Sequence, residues 1–168
     1  NILETNQYIQ EARDISEKLV NSRLRSFLFG KIGEIEMRKG NDAAATSMLQ
    51  EALDLSQNLK DKHNTARCLL ALGRVATRLG NFAAAFQYEL ESLQTLRDLS
   101  DRSCSLENLF HLGWNGFLAG EANRAIEYLE ESLSICATID DAHKIMPSFG
   151  LGWIAISQGD PQKARGLL

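Results

Sequence analysis

Two columns of glycine, each repeating every forty residues, constrain this chain more than any other feature: Gly33, Gly73 and Gly113 form one, and Gly40, Gly80 and Gly120 the other. A fourth row follows after a one-residue deletion, with Gly152 and Gly159. Glu11, Glu51, Glu91 and Glu131 share a further register, followed by Ala12, Ala52, Ser92 and Ser132, and Asp61, Asp101 and Asp141 mark another. A fixed period of roughly 20 to 50 residues is the signature of a solenoid, in which each unit buries its apolar face only against its neighbours. The chain therefore divides as a single array over residues 1–168: 1–20 the second helix of a truncated repeat, 21–60, 61–100 and 101–140 whole repeats, and 141–168 a partial one.

Within each row the apolar spacing predicts helix, turn, helix. Leu69, Leu72, Val75 and Leu79 recur at three-four spacing, Gly80-Asn81 interrupts, and Phe82, Ala85, Phe86, Leu93 and Leu96 resume the pattern. The glycine suits the left-handed residue that closes a helix, and Asn41, Asn81 or Asp160 can cap the start of the next. Asp61, Asp101 and Asp141 place a carboxylate at the other turn, where it favours a helix N-terminus. The expected helices are 3–20, 23–39, 42–59, 62–79, 82–99, 102–119, 122–138, 142–157 and 161–168. Pro161 fits a first turn, where its missing N–H costs nothing. Pro147, inside the eighth helix, should move its start toward Met146 or kink its first turns. With two prolines and no β-branched runs, no strand is expected.

Charge and hydropathy narrow the classes of function. Eighteen basic against twenty-two acidic residues leave a formal charge of -4, which offers a polyanion no general attraction, so no nucleic-acid contact is expected. The apolar stretches break well before the roughly 18 residues of a membrane span, and no signal segment opens the chain, so the expectation is a soluble, cytoplasmic protein away from membranes. Cys68, Cys104 and Cys136 lack paired spacing and lie in helical patterns, as small core side chains do. His63, His111 and His143 are too scattered to form a ligand set, and no Gly-Lys-Ser/Thr phosphate loop, His-Glu-x-x-His motif or nucleophile elbow is present. No enzyme activity, cofactor or metal is expected. The recurrent acids lie a full repeat apart, as for salt bridges between neighbouring repeats or plain solvation.

Phe29, Ile32, Gly33, Gly40, Ala45, Leu49 and Ala52, with Leu69, Leu72, Gly73, Gly80, Ala85, Glu89 and Ser92 in the second row, resemble the tetratricopeptide repeat (TPR) consensus. The third row, Leu109, Leu112, Gly113, Gly120, Ala125, Leu129 and Ser132, resembles it as well. The small residues fall where two helices of a hairpin cross closely. The unit is longer than the family's usual 34 residues and lacks its consensus proline. The resemblance implies an all-α, right-handed superhelical solenoid of antiparallel helix pairs. Forty-residue units with this Leu-Gly pattern, and above all LGWIAISQGDPQKARGLL, are similar to the C-terminal arrays of bacterial multidomain NTPase and transcriptional regulators; similar long repeats occur in eukaryotic scaffold proteins.

By the same resemblance, first helices line a concave surface, with Phe27, Gly30, Lys31, Glu34, Met37 and Arg38 inward in the first row and Arg67, Leu70, Ala71, Arg74, Thr77 and Arg78 in the second. Glu107, Phe110, His111, Trp114, Phe117 and Leu118 follow in the third row, and Met146, Phe149, Gly150, Trp153, Ile156 and Ser157 in the fourth. The candidate partner-binding set is Arg74, Arg78, Phe110, Trp114, Phe117, Phe149 and Trp153. Each tryptophan can equally pack between helices, and Arg78 near a helix end can simply complement the dipole. The leading function is a protein- or peptide-binding scaffold within a larger signalling or regulatory protein. A ligand-sensing domain of a transcriptional regulator and a structural spacer or self-assembly segment are the alternatives. Apolar residues at the two ends, Ile2, Leu3 and Ile9 and Leu167 and Leu168, suggest self-association of the array.

Overall fold

A computed structural model describes residues 21–99, 102–139 and 144–167, together with helical residues 7, 10–12, 14, 15 and 18. Eight helices follow one another within these limits: α1 (Ser22–Lys39), α2 (Asp42–Asn58), α3 (Lys62–Arg78), α4 (Phe82–Asp98), α5 (Arg102–Leu118), α6 (Ala122–Ile139), α7 (Ile145–Ser157) and α8 (Pro161–Leu167). They pack as successive hairpins, α1 on α2, α3 on α4, α5 on α6 and α7 on α8, each hairpin leaning on the next. First helices also touch first helices, α1 to α3, α3 to α5 and α5 to α7, and together form one side of an all-α solenoid. No strand occurs among the described residues. Most of the expected helix at 3–20, together with Asp101, Asp141, His143 and Leu168, lies outside the described residues.

The turns follow the expected chemistry at most positions. Gly40, Gly80, Gly120 and Gly159 all have positive φ, between 74° and 88°, where a Cβ would be strained. Their backbones close the preceding helix: Gly80 N–H donates to Thr77 O and Asn81 N–H to Ala76 O. Asn81 Oδ1 then accepts from Ala84 N–H, Asp61 Oδ1 from Asn64 N–H and Asp160 Oδ1 from Lys163 N–H. Asn41 departs from this: it makes no side-chain cap and donates through Nδ2 to the Glu36 carboxylate. Lys60, the one non-glycine residue with positive φ among those described, closes α2 where no glycine marks the turn. The helix holding Pro147 starts at Ile145 rather than at 142. The proline falls in its first turn, where no intrahelical bond is lost.

Close crossing explains the Leu-Gly columns. A Cβ on Gly33 would lie 2.6 Å from Leu49 Cγ, one on Gly73 2.8 Å from Glu89 Cγ, and one on Gly113 would also collide with Leu129 Cγ. Buried hydroxyls stitch the same crossing from either side. Ser26 Oγ on α1 donates to Ala52 O on α2, and in the next hairpin the pattern reverses, Ser92 Oγ on α4 donating to Ala66 O on α3. The core runs through the array in three buried clusters, around Phe29, Leu49, Leu69 and Leu72, around Phe86, Leu93, Leu109 and Leu112, and around Leu129, Leu151 and Ile154. Cys68 and Cys136 are buried in it, and desolvation pushes the Cys68 thiol up to about 12 despite nearby Arg67, so it stays protonated as a small apolar group.

Candidate functional site

The face formed by α1, α3, α5 and α7 is built by one repeating contact. A residue past the middle of each first helix meets one in the first half of the next, and in the two ionic pairs the partners stand 33 residues apart in sequence. In the first two steps that contact is ionic: Glu34 Oε1 to Arg67 Nη2 at 3.2 Å, then Arg74 Nη1 to Glu107 Oε1 at 3.5 Å. Lys31 Nζ adds a second cation 2.8 Å from Glu34, and Lys31 and Arg67 both stand over the Phe27 ring, 5.9 Å and 5.6 Å from its centroid. The result is a charged but internally paired groove lined by Lys31, Glu34, Arg67, Leu70, Arg74 and Glu107.

At the third step the repeat position of Glu34 and Arg74 is taken by Trp114, and the contact becomes aromatic. Trp114 and Phe149 lie 6.4 Å apart, centroid to centroid, at an interplanar angle of 30°, and Phe149 and Trp153 6.1 Å apart at 23°. Phe117 joins Trp114 at 6.4 Å. Phe149 and Trp153 are 46% and 49% exposed, while Trp114 is half-buried. Met146 and Ile156, on the same helix, extend the apolar surface at 52% and 51% exposure. This is a contiguous apolar strip on α5 and α7.

The seven candidate residues therefore separate into groups. Trp114, Phe117, Phe149 and Trp153 form the strip. Phe110 is half-buried, packs against the Leu129–Leu151–Ile154 cluster with Phe117, and meets the His111 ring edge-on at 5.5 Å, so it floors the strip. Arg74 borders it through Glu107 and His111. Burial first, and the Arg74 charge second, hold the His111 imidazole down to about 4, so this ring is neutral at pH 7. Arg78 lies elsewhere: its Nε donates to Asp42 Oδ1 at 2.9 Å, tying the end of α3 to the start of α2. Sequence reasoning placed Glu107 on this face without its ionic role; the signal was a charge of opposite sign 33 residues from Arg74, as Arg67 is from Glu34. Among the described residues no group of His, Cys, Asp and Glu could hold a metal ion, and no helix is long and apolar enough to cross a membrane.

Comparison with known proteins agrees with this architecture. The sequence model of the tetratricopeptide repeat family matches residues 23–98. No curated protein matches the chain in sequence. Among solved structures, BtubC (BKLC) from P. vanneervenii superposes with a TM-score of 0.86 at 19% identity, over 98% of this chain and 69% of that one. A kinesin light chain-type protein with nearly identical TPR-like repeats, from Podosopora anserina, gives 0.83 at 16% identity over 99% and 82%. MamA gives 0.72 at 18% over 95% and 81%. At these identities the likeness is one of fold.

Proposed function

We propose that this chain, which carries tetratricopeptide repeats, is a scaffold without chemistry of its own that holds a protein or peptide partner on the face of its first helices. The observation that carries this reading is the exposed aromatic strip of Trp114, Phe149 and Trp153. Aromatic rings of this kind supply much contact area with few rotatable bonds, and water gains when they are covered. Phe110 supports the strip from below, Phe117 extends it beside Trp114, and Arg74 at its border offers an acidic group on the partner an alternative to Glu107. The partner that fits is an extended or helical segment with apolar anchors and an acidic end. The chain then serves a larger regulatory protein of the cytoplasm, as do the bacterial NTPase and transcriptional regulators whose arrays its sequence resembles.

The protein's two tryptophans are both in this strip, so its intrinsic fluorescence reports on the site directly. Peptides selected by display against the folded protein should shift or quench tryptophan emission. Trp153→Ala should weaken them at least tenfold with the urea midpoint nearly unchanged. Selected peptides that bind with unaltered emission and equal affinity for Trp153→Ala would place the partner surface elsewhere.

A further inference from the structure

One position in the core breaks the repeat. Where the first and third hairpins bury Leu49 and Leu129 under Gly33 and Gly113, the second buries Glu89 under Gly73. Glu89 is 0% exposed, and so is Asn115 of α5, whose Nδ2 donates to both carboxyl oxygens at 2.8 Å and 3.0 Å. Asn115 is itself the odd member of its column, which carries Ile35, Val75 and Ile154 in the other first helices. A carboxyl and an amide thus meet where the other junctions bury leucine with valine or isoleucine. Asn115 Oδ1 lies 3.0 Å from Thr77 Oγ1 on α3, and Thr77 Oγ1 is 3.0 Å from Gly73 O. The three side chains come from α3, α4 and α5, across the junction of the second and third repeats.

Among the described residues no cation compensates the carboxyl. Desolvation by burial is the dominant influence on it, outweighing the Asn115 hydrogen bond. On α3, Arg74 turns to Glu107; on α5, His111 is kept neutral; on α6, Arg124 stands 4.8 Å over the Phe86 ring. The cluster can satisfy two protonation states. As placed, Thr77 donates to Asn115 Oδ1 and Asn115 Nδ2 to an ionised Glu89. With the Asn115 amide turned over, its Oδ1 accepts the carboxyl proton of neutral Glu89 and its Nδ2 donates to Thr77 Oγ1. Thr77 then donates to Gly73 O, so the carboxyl proton, the amide and the hydroxyl each keep a partner.

The geometry points to a proton-dependent joint: Glu89, Asn115 and Thr77 lock the second repeat to the third when the carboxyl is neutral, and the buried anion loosens the α4–α5 contact when the proton leaves. This joint lies between the ion-paired and the aromatic halves of the first-helix face, so its loosening changes how the two halves are set against each other. It does not depend on what that face binds.

Burial raises the Glu89 carboxyl from 4.5 to about 8. The folded protein therefore holds a proton that the unfolded chain has already released between these values. Relative to a variant that cannot titrate, the folding constant should fall as pH rises from about 4.5 to 8, by up to tenfold per pH unit, and level off above. Urea unfolding of the full chain with Glu89→Gln, an isostere able to make the same hydrogen bonds, supplies that reference and cancels the surface carboxylates common to both proteins. Hydrogen exchange of α4 and α5 amides should likewise quicken with pH in the wild type beyond the intrinsic base-catalysed rate, and follow that rate alone in Glu89→Gln. A constant difference in stability between the two proteins from pH 5 to 9, or equal protection of α4 and α5, overturns the joint. Should Glu89→Gln fold poorly, Glu89→Leu with Asn115→Val, which restores the pair of the first junction, serves as the non-titrating reference.

Discussion

At the scale of single residues, glycine does two separate jobs in this array, and the two have different costs on substitution. Gly113 is helical, and a Cβ built there would collide with Leu129 Cγ and Cδ2 and lie 3.1 Å from Ala125 O, so even one methyl group forces the hairpin apart. Gly120 has open space around it and a φ of 88°, so alanine there meets only backbone strain. Gly113→Ala is expected to lower stability by about 1–3 kcal/mol through overpacking. Gly120→Ala should cost about 1 kcal/mol through the left-handed conformation. Urea denaturation with matched m-values checks both, and an unchanged midpoint for Gly113→Ala would reject the close crossing. The Ser26–Ala52 and Ala66–Ser92 pairs carry the same lesson: the crossing tolerates only small side chains, and one hydroxyl suffices from whichever helix supplies it.

At the scale of helices, the junctions between hairpins are chemically unequal. The α2–α3 and α6–α7 junctions are apolar, with Leu49 and Val75 in one buried cluster and Leu129 and Ile154 in another, while α4–α5 buries Glu89 and Asn115. A buried polar pair of this kind is often less stabilising than an apolar pair of similar volume, whereas removing one partner leaves the other unsatisfied. Glu89→Leu alone should therefore leave Asn115 without its acceptor and lower stability. The double variant Glu89→Leu/Asn115→Val should recover that loss and exceed the wild type at pH 8 by about 1–4 kcal/mol. Measured in a double-mutant cycle by urea unfolding, additive effects of the two changes would show that the pair does not act as a unit.

At the scale of the whole molecule, the solenoid presents two kinds of surface in series, ion-paired on α1 and α3 and aromatic on α5 and α7. Ile145, Met146, Phe149, Trp153 and Ile156 all lie exposed along α7, an apolar stripe large for an isolated surface helix. Concentration-dependent self-association is the expected outcome, visible by light scattering across a dilution series and reduced by Ile145→Ser with Ile156→Ser; a strict monomer at every concentration would contradict it. The sequence by itself determined the repeat, the helix pairs and their glycine turns, because period, capping and small-residue columns are local or simply translated properties of the chain. Spacing also put Trp114, Phe149 and Trp153 on one side, since residues one repeat apart occupy equivalent places. Tertiary structure alone decided three further things. Arg78 faces Asp42 rather than the aromatic strip, and Lys60 closes α2 without glycine. Glu89, read from sequence as one more consensus position, is an uncompensated carboxyl in the core. Each depends on which groups from other helices surround a side chain or on the local packing of a turn, and that distribution of neighbours is fixed only when the hairpins stack.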